Sequence, residues 1–279
     1  MFSLPFHAAS LLSIGLPISQ SESPMNPEQL AWNVDFIAQS DQLRAPEFGI
    51  PERTKRVSYP FRIMRYWFAH NLLMREYDRA GRPLDICEIG VDRGQMFYFT
   101  QAACASQGDK PWARWTAVDC KLREDILRQH GYTDLVSANI SEETPAVQGD
   151  YDLIILLHVL EHLSNPEEAL ERLIPTLRPG GAVIGGFPVT PEPFRAMREG
   201  QLRKKAKPFG HTSAFSPQRV QRMAAQAGLE VEFISGAFMM RKKGFFLENH
   251  AWWWRLNLAF GARFPGWPGE VYWLLRRPR

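Results

Sequence analysis

Residues 151–186 read YDLIILLHVLEHLSNPEEALERLIPTLRPGGAVIGG, and this stretch decides the fold class. The continuous apolar run Tyr151–Leu157 is typical of a strand buried on both faces of a parallel sheet. Residues 164–168 supply a capping side chain, a proline at the first helical position and acids in the first turn, which predict a helix to about Leu177. Gly180 and Gly181 are expected to end that helix before a further strand, Ala182–Gly186.

The same alternation extends in both directions along the chain. Further strands are predicted at Leu84–Ile89, Trp115–Val118, Leu135–Ala138, Leu229–Ile234 and Glu270–Leu275. Helices are predicted at 27–40, Pro60–Asp78, Gln95–Ala105, Arg123–Gln129 and 217–227. Because parallel strands need helical crossovers, this order favours an α/β, Rossmann-like, doubly wound sheet. Ligands of such sheets bind at the carboxyl ends of the strands.

The chain divides into three predicted regions. We interpret residues 1–24 as a loose N-terminal extension, 25–80 as an N-terminal helical cover, and 81–279 as one α/β domain. Within that domain, 187–210 reads as an irregular basic insert and 237–268 as an aromatic and basic lid.

Composition excludes several classes of protein. The 279 residues are 45% hydrophobic and 23% charged, which is ordinary for a globular domain and argues against disorder or a fibre. The cysteines Cys87, Cys104 and Cys120 are too few and too scattered for a disulfide framework, so a reducing compartment is expected. No apolar run reaches the roughly 20 residues of a membrane span, and no basic residue precedes the apolar N-terminus as in a signal peptide. We therefore expect a cytoplasmic protein.

Charge is distributed unevenly along the chain. Residues 81–199 carry eleven basic and eighteen acidic residues, whereas 200–279 carry fourteen basic and four acidic. A basic C-terminal part suggests an anionic acceptor or surface at that end. The alternative is a basic segment that only faces solvent.

The loop after the first strand, within residues 86–95 (ICEIGVDRGQ), carries a glycine directly after a buried strand. Such a glycine lets the backbone turn tightly against a ligand. A dinucleotide fingerprint would need Gly-x-Gly-x-x-Gly, but only Gly90 and Gly94 are present. The acids Glu88 and Asp92 would repel a pyrophosphate, and they suit a cofactor that carries an amine and a sulfonium. Asp119, which ends the second strand, could accept hydrogen bonds from ribose hydroxyls.

Four motifs in this order resemble the class I S-adenosylmethionine-dependent methyltransferases, in the group with ubiquinone and small-molecule O-methyltransferases. They are the acid and glycines of 88–94, the acid Asp119, Leu-Glu-His at 160–162, and Leu-x-Pro-Gly-Gly at 177–181. The similarity covers roughly Leu84 to Ser235. Asp92 stands where the family usually has its middle glycine.

The resemblance implies a seven-stranded, mostly parallel sheet with one antiparallel strand, which Glu270–Leu275 would supply. It also implies S-adenosylmethionine as the cofactor. The residues it assigns to the cofactor are Glu88, Gly90 and Gly94 for the methionine part, Asp119 for the ribose, Asn139 for the adenine amine, and His158 beside the methionine end. Asp92, in the same loop, is also assigned to the cofactor.

Methyl transfer is an in-line displacement that needs alignment, a dry site and often a base. The candidate catalytic residues are Glu161, His162 and His211, with His158 as a further candidate base. The alternative for both His162 and His211 is a packed histidine with local hydrogen bonds. Some relatives hold a divalent ion with Glu-x-x-Glu-His, but His158 replaces the first acid here. We therefore expect no metal, while Zn²⁺ or Mn²⁺ stays conceivable.

The C-terminal third mixes basic and aromatic residues at 202–207, 241–243 and 252–255. A lid over the acceptor is the favoured interpretation, and peripheral contact with a membrane is a second one. No RNA-binding module is visible, so nucleic acid is not expected as a partner.

The sequence therefore predicts methyl transfer to a hydroxyl of a glycan, lipid-linked or natural-product small molecule. One alternative is an NAD-type oxidoreductase, which would need the three-glycine fingerprint and usually a Tyr-x-x-x-Lys pair, and neither is present. The other is a protein that binds S-adenosylmethionine without turnover.

Overall fold

The computed structural model describes residues 59–279 apart from 106, 107, 109, 148, 206, 243, 244, 248 and 249. Its centre is a seven-stranded sheet in the order β3-β2-β1-β4-β5-β7-β6. The strands are β1 (Leu84–Ile89), β2 (Trp112–Asp119), β3 (Asp134–Ser137), β4 (Tyr151–Leu157), β5 (Leu177–Pro188), β6 (Glu230–Gly236) and β7 (Glu270–Arg276). Strand β7 runs antiparallel to both of its neighbours. The predicted Rossmann-like sheet with one antiparallel strand is confirmed.

Helices cover both faces of the sheet. They are α1 (Tyr59–Ala80), α2 (Gln95–Cys104), α3 (Glu124–His130), α4 (Pro166–Leu173), α5 (Glu192–Lys204), α6 (Pro217–Gln226) and α7 (Ala251–Arg263). The apolar sides of α1, α2, α3 and α7 share one hydrophobic core with the sheet. Those of α4 and α6 form a second core on the opposite face. The predicted helix 27–40 and the extension 1–24 lie outside the described residues.

Two predicted boundaries around the Gly180-Gly181 pair are wrong. Helix α4 ends at Leu173, and a 3₁₀ turn, Ile174–Thr176, follows it. The reason is Pro175, which lacks an amide hydrogen and would clash with the preceding turn of an α-helix. The second wrong boundary is the start of the next strand, since β5 begins at Leu177 and not at Ala182. The two glycines therefore lie within β5, where its pairing register with β4 shifts between Tyr151–Leu177 and Leu153–Ala182.

The insert 187–210 was expected to be irregular, but it contains the 13-residue helix α5. This helix buries no side chain, so its sequence has no apolar stripe to reveal it. Ion pairs along its surface support it instead, with Glu199 3.5 Å from Arg195 and 2.6 Å from Arg203. Among the described residues, no helix is long and apolar enough to cross a bilayer.

Candidate active site

A cavity of about 600 Å³ opens at the carboxyl ends of the parallel strands. Loops after β1, β2, β3 and β4 form its walls, as expected for a doubly wound sheet. The predicted site residues that line it are Gly90, Asp92, Asp119, Asn139, His158 and His162. Glu88, Gly94, Glu161 and His211 lie outside the lining.

The loop after β1 turns through three residues with left-handed backbones. Gly90, Asp92 and Gly94 have φ values of 72°, 47° and 73°. A Cβ on Gly90 would lie 2.5 Å from Cγ2 of Val159, another lining residue, so a glycine is needed there. Asp92 adopts the conformation expected of the family's middle glycine, which aspartate tolerates better than most residues. A Cβ on Gly94 would meet the ring of Tyr132 at 2.9 Å, so Gly94 serves packing below the cavity.

Asp119 joins two loops at the cavity wall. Its Oδ2 accepts a hydrogen bond from the backbone amide of Asp92 (3.1 Å), and its Oδ1 accepts one from the amide of Lys121 (2.8 Å). Each carboxylate oxygen has a second lone pair, so both can still accept from hydroxyls in the cavity.

Asn139 faces the cavity, but its side chain is engaged within its own loop. Its Oδ1 accepts from the amide (3.2 Å) and the hydroxyl (2.7 Å) of Ser141. Its Nδ2 donates to Glu142 at 2.8 Å. The predicted bond from an adenine amine to Oδ1 would compete with these contacts, so the carboxamide mainly shapes the loop that lines the cavity.

Glu88 does not reach the cavity, which corrects its predicted contact with a cofactor. Its side chain points to the α2 face of the sheet, where Oε2 accepts from Trp115 Nε1 (3.0 Å) and from the Tyr132 hydroxyl (2.7 Å). Burial raises the pKa of this carboxyl to about 7, against the lowering effect of the two hydrogen bonds. Glu88 lies within β1, as predicted, but the alternation of side chains along the strand turns it away from the cavity.

His158 lies at the opposite wall, between two buried carboxylates. Its Nδ1 is 2.9 Å from Glu161 Oε1, and its Nε2 is 3.6 Å from Glu270 Oε2. Burial and Arg65 lower the pKa of His158, but the two carboxylates outweigh them and raise it. Its backbone, with φ 56°, is held by a hydrogen bond from its amide to the carbonyl of Gly186 (2.9 Å).

Glu161, His162 and His211 are brought together although 211 is distant in sequence. One ligand atom from each of them lies within 4.8 Å of the others. The two imidazole rings pack edge to face with centroids 4.8 Å apart. The backbone amides of Thr212 and Ser213 bond to the carbonyl of Glu161, which fixes the segment bearing His211. Burial lowers the pKa of His211, so its ring is neutral at pH 7.

Four residues of the site were not predicted from the sequence. Lys121, Arg123 and Phe209 line the cavity, and the Lys121 ammonium lies 4.2 Å from the Phe209 ring centroid. Glu270 pairs with Arg241 at 2.9 Å behind His158. Lys121 and Arg123 could have been found, because they directly follow Asp119. Phe209 and Glu270 reach the site only through the tertiary fold.

The predicted lid 237–268 is mostly a structural part of the domain. Helix α7 buries Trp253 and Trp254 in the core it shares with α1, and Trp252 beside them is exposed. The cavity lining includes no described residue of this segment. Its contact with the site is Arg241, through Glu270. Lys204 and Lys205, at the exposed end of α5, do not line the cavity either.

The sequence matches the family model of a methyltransferase domain over residues 62–233. A comparison with curated proteins finds no match.

Solved structures share the fold at low sequence identity. A protein from Galdieria sulphuraria, described as a sarcosine dimethylglycine methyltransferase, is 13% identical over 75% of this chain and 85% of its own, with a TM-score of 0.53. The plantazolicin methyltransferase BamL, in complex with a triazolic desmethylPZN analog and SAH, is 12% identical over 88% of this chain and 98% of its own, with a TM-score of 0.51. At these identities the likeness concerns the fold alone.

Proposed function

The chain belongs to the family of methyltransferase domains, and on that premise we propose that it transfers a methyl group from S-adenosylmethionine to a hydroxyl group of a small-molecule acceptor. S-adenosylmethionine supplies an electrophilic methyl group on a sulfonium. The family match decides against the NAD-type oxidoreductase.

The lining residues fit this cofactor. Both oxygens of Asp119 have acceptor capacity left for the ribose hydroxyls. Gly90 has no side chain, which allows Val159 to pack against this loop at the cavity. Asp92, which lines the same wall, adds negative charge that suits a cationic sulfonium and amine.

The observation that carries the hydroxyl acceptor is the cluster of Glu161, His162 and His211, which reaches the cavity through His162. His162 lines the cavity, and the ring of His211 packs against it. When the acceptor oxygen bonds to the methyl carbon, the carbon–sulfur bond breaks and the hydroxyl proton must leave. A neutral imidazole can take that proton. The adjacent Glu161, whose pKa is held below its usual value by His158 despite burial, would stabilise the resulting imidazolium.

The charges around the cavity favour an anionic acceptor, such as a glycan, lipid-linked or natural-product hydroxyl compound. Lys121 lines the cavity, and Arg123 lines it as well, where it pairs with Asp92 at 3.3 Å. Arg241 is close behind it through Glu270. Coulomb attraction to these groups would favour negatively charged acceptors, and added salt would weaken it.

The test is methyl transfer from labelled cofactor to a panel of hydroxyl, amine and thiol compounds. We expect labelled methyl ethers, and we expect His162→Ala and His211→Ala each to lower kcat by about 10²–10⁴-fold with little change in cofactor affinity. His250→Ala, at the exposed start of α7, is the control. Exclusive labelling of amines or thiols would contradict the hydroxyl assignment, and cofactor binding without any transfer would favour the non-catalytic alternative.

A metal-assisted reaction is the second candidate, because Glu161, His162 and His211 can converge on one ion. Their carboxylate and imidazole donors suit Zn²⁺ or Mn²⁺. This candidate would be favoured if a chelator removes the activity and one of these ions restores it. In His211→Ala, the added ion should restore no activity. Activity indifferent to chelators would favour direct proton transfer to histidine.

A further inference from the structure

Helix α7 has two faces of different character. Its inner face packs Trp253, Trp254 and Leu258 into the core. Its outer side and the turn after it present large apolar side chains to solvent, and Trp252, Leu256, Phe264 and Trp267 are 44–54% exposed. Isolated exposed apolar residues are normal, but a contiguous group marks an interaction site.

These side chains form one continuous stripe. Trp252, Leu256 and Phe260 follow each other at four-residue spacing, so they lie along one side of the helix. The ring of Phe260 is 5.0 Å from that of Phe264 and 5.5 Å from that of Trp267. We call these five residues the α7 outer face. Its helical part, from Trp252 to the end of α7, extends for roughly 16 Å at 1.5 Å per residue.

The surroundings of the α7 outer face are basic. Residues 237–269 contain five Lys or Arg and one acid, Glu248, and no acid occurs from 249 to 269. Arg255 and Arg263 are exposed on the same helix, and Arg241 and Lys242 are exposed in the segment before it. Apolar aromatic residues bordered by Lys and Arg are typical of helices that lie in a lipid interface.

The segment that precedes α7 is connected to the candidate active site. Asn257, on the inner face of α7, accepts hydrogen bonds from the amides of Met239 (3.0 Å) and Met240 (3.4 Å) in the segment after β6. Two residues further, Arg241 pairs with Glu270 beside His158. Helix α7 is therefore fixed to the same edge of the sheet that carries the cavity.

We propose that the α7 outer face docks on an anionic lipid surface. Trp252 at one end of the apolar stripe suits the headgroup boundary, because an indole is apolar with one polar tip. At the other end, the Trp267 indole donates its N–H to the carbonyl of Met239 (3.0 Å), so it contributes apolar surface. The surrounding cations match the negative charge of anionic headgroups. This docking turns the cavity edge towards the membrane, which suits a lipid-linked acceptor, and that last step rests on the proposed function.

The test is sedimentation of the full-length protein with vesicles, without cofactor or acceptor. One set contains phosphatidylcholine alone, and the other contains equal parts of phosphatidylcholine and phosphatidylglycerol. We expect binding to the anionic vesicles that weakens as salt rises. Because no methyl transfer is measured, failure of the proposed chemistry and failure of docking give separate results.

Two variants and a matched control locate the surface. Trp252→Ala with Leu256→Ala should raise the lipid concentration for half-binding about tenfold, since two apolar side chains no longer enter the interface. Lys242→Gln with Arg255→Gln should weaken binding to anionic vesicles about tenfold and remove most of its salt dependence. Phe194→Ala with Met197→Ala removes equally exposed apolar side chains from α5 and should leave binding unchanged.

Calorimetry with S-adenosylmethionine checks that every variant is folded. The proposal is overturned when the α7 variants bind lipid as the parent does, or when the α5 control loses binding equally. It is also overturned when the parent binds neither vesicle. In that case, a dimer that the α7 variant converts to monomers in light scattering assigns the face to a second copy of the chain.

Discussion

The two carboxylate oxygens of Asp119 hold neighbouring backbone amides and also face the cavity. Its carboxylate holds the amides of Asp92 and Lys121, so it connects the loops after β1 and β2, and it also faces the cavity. Hydrogen bonds to an ionised group are stronger than neutral ones. A change at Asp119 therefore affects ligand contact and loop position together.

We expect Asp119→Ala to weaken S-adenosylmethionine binding by about 1–3 kcal/mol, because charge-assisted hydrogen bonds are lost. Titration calorimetry measures the change. Asp125→Ala, exposed on α3, is the control and should bind normally. Normal binding by Asp119→Ala would place the ribose elsewhere.

Glu88 is a buried carboxyl whose protonation is coupled to folding. Its pKa is about 7 in the folded protein against an ordinary value of 4.5, so the folded state holds a proton that the unfolded chain releases between these values. Its favourable contribution is complete below pH 4.5 and is lost as pH rises through about 7.

Glu88→Gln keeps an acceptor for Trp115 and Tyr132 and removes this titration. The parent should lose stability relative to the variant as pH rises. We therefore expect the difference in free energy of unfolding, variant minus parent, to be about 1–3 kcal/mol larger at pH 8 than at pH 4.5. Urea unfolding at both pH values measures it. Glu124→Gln, exposed on α3, should show no such trend, and a flat difference for Glu88→Gln would contradict the burial effect.

At the scale of elements, the conformation of the β1–α2 loop depends on residues with left-handed backbones and on the close contact between Gly90 and Val159. Gly90 and Gly81 have similar φ values, 72° and 63°, but only a Cβ on Gly90 meets a neighbour, Val159. The two positions therefore separate backbone strain from steric overlap.

We expect Gly81→Ala to cost about 1 kcal/mol of stability from strain alone. Gly90→Ala should cost more and should also weaken cofactor binding, because Val159 lines the cavity and must move. Thermal unfolding and calorimetry test both variants. Equal effects of the two substitutions would speak against the close approach.

Helix α7 offers a second comparison at this scale, between adjacent tryptophans on opposite faces. Trp253→Ala should lower the free energy of unfolding by about 3–5 kcal/mol, since it empties part of the core. Trp252→Ala should change it by less than about 0.5 kcal/mol. Urea unfolding measures both changes in the free energy of unfolding. A small change for Trp253→Ala would support the interpretation of Trp253 as a lid residue.

At the scale of the whole molecule, one ion-pair cluster connects the two ends of the described chain. Arg276 of β7 contacts both carboxylate oxygens of Glu76 on α1 at 2.6 Å, and it pairs with Glu232 of β6. The first pair is buried on both sides. It fixes α1 against the sheet near the edge strand β6.

Removing one partner of a buried pair leaves an unpaired charge, so we expect Arg276→Met to cost about 3–5 kcal/mol of stability. Arg222→Ala breaks an exposed pair with Glu192 and should cost less than about 1 kcal/mol. Urea unfolding measures both. Recovery of stability in Arg276→Met combined with Glu76→Leu would confirm that the uncompensated charge causes the loss.

Local pattern was sufficient for the sheet and for the position of the site. Tyr151–Leu157 was predicted to the residue, because burial on both faces requires an unbroken apolar run. In contrast, β2 begins at Trp112 where Trp115 was predicted, and β5 begins at Leu177 where Ala182 was predicted. The site followed from Gly90 and Asp119, because parallel strands end at one edge of the sheet. Helix α5 was missed because surface ion pairs, and no buried stripe, support it.

The sequence by itself therefore determined the α/β class, the family and the edge of the sheet that carries the cavity, since each depends on residues close together in the chain. Only the tertiary structure decided that Glu88 turns into the core, that Glu270 meets His158, and that His211 joins Glu161 and His162. It also decided which tryptophan of α7 is buried. These outcomes depend on contacts between residues far apart in sequence, and the direction of a side chain at such a contact is set by the packing of whole elements against each other.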